Sequence, residues 1–409
     1  MKELHERNRF VWRSLSMKVL GIALCMVCVA GSPGYALWVG QSQINPFLEV
    51  RGEYQSNIYR MEDDEESDFI TVISPGIHFE YPTTQNPAIQ AVLDYRADIR
   101  IYGNDGDSSI DPDSELNTVD QRLGGHVQYN LASGWLFKGG YALSITSNPP
   151  DFIGDTRNDY KQHDLLVLAG YNFADRYKIE FQYDGAFRSY DDSEFEVDDI
   201  DTHEIKLVGF YRIQPKVSVL LGGDYVTFSR QEPFYDSTEY RGYTGIEYEA
   251  TESTTGTMKV GAARREFDTD DIDDATDFYV NGEIRSEYAE NSFWSLKVFR
   301  DYHDSTVSDQ TAYNGAYYMT TGFGGTITHA LATLPNLSLS ANVLLSQDAY
   351  PEDNDDREDN KIRGEFGIAY KFYKFVSLGA GYRYDNRDSN IDGLTYTNHS
   401  AFMSIKGLM

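Results

Sequence analysis

From Lys161 to Tyr190 the chain alternates with a period of two. His163, Leu165, Val167, Ala169, Tyr171 and Phe173 take every second position, against Gln162, Asp164, Leu166, Leu168 and Gly170, a weaker, mixed face. Ala174 and Asp175 make a very short turn. On the return, Tyr177, Ile179, Phe181, Tyr183, Gly185 and Phe187 alternate with Lys178, Glu180, Gln182, Asp184, Ala186 and Arg188. A period of two held over a dozen residues is a long strand with one apolar and one polar face. After Tyr190 comes an acidic stretch, Asp191, Asp192, Glu194, Glu196, Asp198, Asp199 and Asp201, and then another strand.

The same unit of long strand, tight turn, long strand and acidic loop recurs along the chain. The first strand sets Leu48, Val50, Gly52, Tyr54, Ser56 and Ile58 against Glu49, Arg51, Glu53, Gln55 and Asn57. The third sets Ile89, Ala91, Leu93, Tyr95, Ala97, Ile99 and Ile101 against Gln90, Asp94, Arg96, Asp98 and Arg100. Counting onward gives about eighteen strands, with sixteen the alternative; the least regular is the eleventh, Thr255 to Phe267. Connections after odd strands are long and acidic and those after even strands are short. The pattern predicts an all-β fold, a transmembrane antiparallel up-and-down β-barrel with long acidic extracellular loops and short periplasmic turns. A soluble sandwich is disfavoured because its strands are usually 5–6 residues, while these reach the length a tilted strand needs to cross a bilayer. Closure also removes the bare edges of so large a sheet.

The amino terminus departs from the pattern. Met17-Lys18, the apolar run Val19 to Ala30 and Gly34-Tyr35-Ala36 read as a secretory signal with cleavage after Ala36, Met17 being an alternative start. Residues 37–46 are then expected as a periplasmic lead and 47–409 as the barrel. Both cysteines, Cys25 and Cys28, fall inside the signal, so the mature chain has neither a disulfide framework nor a cysteine metal site. Beyond residue 36 no apolar run approaches the ~20 residues of a membrane helix.

Composition narrows the partners. The formal charge is −30 and the mean hydropathy −0.50, with 31 tyrosines and 22 phenylalanines that suit strands and interfacial girdles. Residues 1–36 hold five Lys/Arg and two Asp/Glu, which leaves 30 basic against 63 acidic groups, a charge of −33. Nucleic acid is excluded as a partner on that balance. The expected location is the outer membrane of a Gram-negative bacterium. The expected partners are its lipid and lipopolysaccharide, the barrel-assembly machinery, and a secreted polysaccharide with periplasmic export proteins.

The phase opposite the lipid face supplies the lumen candidates. They are Arg51, Arg96, Arg100, Arg188, Arg212, Arg241, Arg285, Arg363 and Arg383, with Glu49, Glu53, Asp94, Asp98, Tyr102, Tyr243 and Tyr279. Such a wall suits a water-filled channel, although the charges could equally brace the strands by pairing. Tyr102, Tyr243, Tyr279 and Tyr318 could stack on sugars or simply fill space. The acidic stretches Asn104–Asp113 and Asp268–Asp274 lack the spacing of a calcium loop, and no metal or cofactor is expected. His163, His203 and His399 fall on the outward phase near strand ends; His78 and His126 fall singly on the inward one. No motif joins any of them to a nucleophile, so the chain does not read as an enzyme. The last strand runs through Ala401, Met403 and Ile405 to Met409 with no terminal aromatic, leaving Phe402 as the residue able to supply an assembly signal.

One stretch resembles a known family. Phe47-Leu48-Glu49-Val50, then Tyr54-Gln55-Ser56-Asn57-Ile58-Tyr59-Arg60, an acidic gap, and Ser67-Asp68-Phe69-Ile70-Thr71-Val72-Ile73-Ser74-Pro75-Gly76-Ile77 look like the opening of the putative β-barrel porin 2 family. Asn57 and the Ser74-Pro75-Gly76 step carry the likeness. The family includes outer-membrane proteins encoded with exopolysaccharide systems, so the resemblance implies a barrel that passes secreted polysaccharide. The alternatives are a general diffusion porin for small hydrophilic solutes, and a structural or adhesive barrel acting through its acidic loops.

Overall fold

The computed structural model describes residues 37–408 apart from 84–87, 104–116, 148–158, 194, 232–234, 252, 306–316, 352–355 and 374. The expected signal segment, and the loop Asn104–Asp113, therefore lie outside the described residues. Apart from one 3-10 turn (Glu196–Asp198), every described element is a strand. In chain order they are β1 (Leu37–Val39), β2 (Ser42–Gln55), β3 (Asp68–Tyr81), β4 (Ile89–Tyr102), β5 (Thr118–Asn130), β6 (Trp135–Ser147), β7 (Asp159–Phe173), β8 (Tyr177–Tyr190), β9 (Ile200–Gln214) and β10 (Val217–Arg230). There follow β11 (Ser237–Thr251), β12 (Thr254–Phe267), β13 (Ala275–Ala289), β14 (Ser292–Asp304), β15 (Tyr317–Ala330), β16 (Leu337–Ala349), β17 (Glu358–Tyr373), β18 (Val376–Ser389) and β19 (Tyr396–Leu408).

Each strand from β2 to β18 pairs antiparallel with the next, and β19 returns to β2 from Ser400↔Gln55 to Leu408↔Phe47. The result is a closed eighteen-stranded barrel, wide enough in this class to enclose an aqueous channel. Short turns gather at one end and long connections at the other. The turn after β7 is tight because Ala174 and Asp175 both take the left-handed conformation, at φ 51° and 55°.

The stretch 37–46, expected as a lead, holds β1, a turn at Gly40-Gln41 and the start of β2. β1 folds back on the start of β2 (Leu37↔Ile44), and β2 pairs with β3 from Gln43↔Glu80 onward. Gln43 and Asn45 share the inward phase of Glu49 and Arg51, so this part of the strand has the barrel's alternation with a wholly polar inner face.

One face of the wall is apolar and exposed all the way round, as shown by Leu165, Val167, Leu207, Val260, Phe323, Phe366 and Met403. On β7 this band runs from Leu165 to Phe173, nine residues, or roughly 20 Å once tilt is allowed for. Its short-turn border is a run of rings in mutual contact: Phe137, Trp135, Tyr171, Phe173, Tyr177 and Tyr211, with centroids 4.6–5.8 Å apart. At its long-loop border stand three like pairs. The Tyr141 hydroxyl lies 2.7 Å from His163 Nδ1, Tyr183 2.8 Å from His203 and Tyr382 2.6 Å from His399. Each imidazole thus has a partner where the apolar band meets polar surroundings, and none faces the lumen. Phe402 sits on the inner phase, its ring beneath Gly381 and near Arg51, so the outward face of β19 carries no aromatic for an assembly signal.

The residues behind the family likeness have local tasks. The Asn57 side-chain amide donates to the carbonyls of Met61 (2.7 Å) and Thr397 (3.3 Å), while its oxygen accepts from the Met61 N–H (3.1 Å). That pins the loop after β2. Pro75 has no N–H to give, and the β3–β4 ladder skips from Ile73↔Ile99 to Gly76↔Arg96. Ser74 offsets the gap through its hydroxyl, which donates to Asp98 at 2.5 Å. At Gly76 a Cβ would come 2.2 Å from the Phe47 ring, so the step needs glycine.

Candidate functional site

The inner wall changes character halfway round. On β9 to β13 several inward residues are large and buried, among them Val208, Leu220, Glu239, Tyr243, Arg265 and Tyr279. Tyr243 and Tyr279, 3% and 5% exposed, lie with ring centroids 5.6 Å apart over Leu220 and Val208. Tyr243 has room only because Gly222 and Gly261 flank it: a Cβ on either would fall within 2.9 Å of its side chain. Its hydroxyl donates to Asp224 at 2.8 Å.

Against this filled wall leans the long-loop end of β14 and β15. Pairing between β13 and β14 stops at Val280↔Arg300, although β13 stays paired to β12 as far as Ala275. β14 and β15 remain zipped together to Asp304↔Tyr317. Residues 301–305 instead contact strands further round. Asp301 pairs with Arg241 of β11 at 3.1 Å, Asp304 pairs with Arg265 of β12, and the Ser305 carbonyl accepts from Arg230 of β10 at 3.0 Å. Tyr302, Tyr317 and Met319 keep the alternation of the lipid phase but are only 4–5% exposed, since they pack on the inner wall among Ala263, Tyr279 and Phe267. His303 and Tyr318 face the opposite way, sharing a cavity with Gln162, Arg188 and Arg230 on β7, β8 and β10. The end of this hairpin is turned into the lumen and narrows it.

Charge holds the inturned end. Arg241 also meets Glu204 of β9 at 3.1 Å and Glu239 of its own strand at 2.6 Å, so one guanidinium ties three strands, β9, β11 and β14. Arg230 meets Asp198 at 3.4 Å. Arg265 and Glu239 are essentially without solvent exposure. Removing one partner of such a pair leaves a buried charge, a cost of about 3–5 kcal/mol.

The facing wall is made differently. β5 to β8 present Gly124, Gly140, Ala142, Ser144 and Ala186 to the lumen, and along them run open cavities of about 570 and 730 Å³. Small side chains keep the passage open there. Charges on this side are less spent: Arg122 is 59% exposed with its single carboxylate contact at 3.9 Å, and Lys138 forms no ion pair among the described residues.

All sixteen lumen candidates lie on the inward register, and they divide by environment. Arg96 reaches Glu49 (3.1 Å), Asp98 (2.6 Å) and Ser74 (2.9 Å); Arg100 reaches Asp120 at 2.9 Å and Arg51 reaches Glu53 at 3.2 Å. Arg363 pairs with Asp385 and Arg383 with Glu365, both at 3.0 Å, and Arg285 with Glu287 at 3.3 Å. Asp94 accepts from, or is bridged by, His78 at 2.6 Å. Arg212 donates to the Asp175 carbonyl at the short-turn end. Tyr102 is covered by Ile58 and Tyr59 of the pinned loop. Tyr243 and Tyr279 are buried and therefore unavailable to stack on a passing sugar. Tyr318 stacks on Tyr350 at 4.9 Å and on His303 at 5.3 Å. In the stretch Asp268–Asp274, Asp274 is engaged by Arg264 and Asp271 by the Tyr235 hydroxyl. The residues that sequence reasoning missed are Asp301, His303, Asp304 and Arg265, whose roles arise only because a strand end leaves its neighbour.

The chain aligns structurally with a BenF-like porin from Pseudomonas fluorescens Pf-5 at 10% identity and TM-score 0.47, covering 91% of this chain and 100% of that one. OpdQ of Pseudomonas aeruginosa aligns at 13% identity and TM-score 0.44 (91% and 99%), and OccAB3 of Acinetobacter baumannii at 11% and 0.44 (90% and 99%). No curated protein matches the chain in sequence. Residues 224–407, from within β10 to the last strand, match the family described as Putative beta-barrel porin 2. That match lies outside the 47–77 stretch that first carried the likeness. The chain is thus a closed eighteen-stranded β-barrel that, over residues 224–407, is similar in sequence to the putative beta-barrel porin 2 family.

Proposed function

We propose that this barrel is a passive channel for small hydrophilic solutes. The observation that carries the reading is the inturned end of β14–β15 set opposite a wall of small residues. A wide barrel is thereby reduced to a narrower polar passage on the β4–β8 side. Solutes small enough to pass would meet charged and amide groups that replace part of their hydration. The polysaccharide-export reading rests on the family resemblance, and a polymer would have to thread past the same inturned strands. Buried Tyr243 and Tyr279 remove two of the four rings that might have guided a sugar chain.

The test is planar-bilayer recording with the purified barrel. Stepwise conductance that admits small solutes and excludes oligosaccharides supports the proposal. Deletion of the gene supplies the second arm: unchanged surface polysaccharide agrees with it. Polymer lost outside and trapped in the periplasm, restored by complementation, would overturn it in favour of export.

A further inference from the structure

We infer that the cavity between the inturned end and β7–β10 is an anion-binding subsite for small carboxylate-bearing solutes, with Arg188 as its cation. The inference rests on the channel reading and names the solute class at its waist. The cavity holds about 270 Å³, on the order of nine water volumes. Its charged lining is Arg188, Arg230, Asp198 and Asp304. Three of these are already matched: Arg230 with Asp198, and Asp304 with Arg265 behind it. Arg188 forms no ion pair among the described residues.

What holds Arg188 is neutral. Its Nε and Nη2 both donate to Gln162 Oε1, at 3.1 and 2.9 Å, and its guanidinium lies 5.1 Å from the Tyr160 ring centre. Gln162 is fixed in turn by donating to Asp164 at 2.9 Å. A guanidinium oriented by an amide keeps its charge uncompensated and its fork aimed, the arrangement that suits a carboxylate. Tyr318 and His303 line the opposite side of the cavity and offer further hydrogen-bonding groups. The acidic loops disfavour anions at the mouth, so a cation at the waist is where an anionic solute would be retained.

The test uses wild type, Arg188→Gln, Arg188→Lys and, as control, Arg264→Gln on the outer face. Folding of each is checked by heat-modifiable gel mobility. Reversal potentials in a potassium chloride gradient and current block by succinate are then recorded. Arg188→Gln should shift selectivity toward cations and weaken succinate block at least tenfold. Arg188→Lys should keep the selectivity but lose part of the block, and Arg264→Gln should match wild type. Normal conductance with unaltered selectivity and block in Arg188→Gln would overturn the subsite while leaving the channel intact. An equal shift in Arg264→Gln would overturn it as a general effect of net charge. Absence of conductance in wild type would overturn the channel reading itself.

Discussion

The two halves of the inner wall are written in the same alternating code and built to opposite ends. On β11 to β13 the inward residues Glu239, Arg241, Tyr243, Arg265 and Tyr279 pack together and exclude water. On β5, β6 and β8 Gly124, Gly140, Ala142, Ser144 and Ala186 leave space, and Arg122 and Lys138 line the open cavities beside them. Register fixes which residues face inward on both sides. Side-chain volume and the supply of opposite charges decide whether that side becomes a packed lining or a passage. A barrel can therefore set its bore asymmetrically without changing strand number.

The strongest way to break the contrast is to remove the central tie. Arg241→Ala leaves Glu239 and Asp301 without their ion-pair cation and Glu204 with Lys206 alone, and should cost about 3–5 kcal/mol. A fall in the heat-modification temperature of the purified barrel would register it, and an unchanged temperature would deny the tie its role. Replacing Asp301 and Asp304 together by Asn keeps volume and removes the grip on Arg241 and Arg265. Single-channel conductance should then rise, because the inturned end loses its anchors.

The facing wall can be sharpened in the other direction. A Cβ at Gly140 meets its neighbours at 3.6 Å, ordinary contact, so Gly140→Trp should be accommodated with its ring in the lumen. It should at least halve conductance without lowering stability. Tyr243→Phe leaves buried Asp224 without the hydroxyl that serves it, a loss of about 1–3 kcal/mol in denaturant titration. The smallest effect belongs to the turn, which both halves ignore. Ala174→Gly relieves a left-handed residue but frees the unfolded chain, and the two terms should cancel to within about 0.5 kcal/mol.

Strand positions were legible in the sequence because a period of two leaves little choice once one face must meet lipid. Even the least regular stretch, Thr255 to Phe267, is β12 almost residue for residue. The start of β2 was missed because Gln43 and Asn45 are polar and Pro46 interrupts, so the inward face alone looked like a lead. The inturned end was illegible for a deeper reason. Tyr302, Tyr317 and Met319 satisfy the lipid-phase pattern whether they meet lipid or the inner wall, as both surroundings are apolar. Likewise Arg241 and Asp301 are sixty residues and three strands apart, and no local periodicity couples them.

The central claim is that the end of β14–β15 lies inside the passage, and cysteine accessibility tests it most directly. The chain beyond Ala36 has no cysteine, so His303→Cys and Phe323→Cys can each be probed alone with a charged, membrane-impermeant thiol reagent during single-channel recording. The account predicts a stepwise fall in current for His303→Cys and none for Phe323→Cys, which faces outward. Modification of His303→Cys that leaves the current untouched would contradict it.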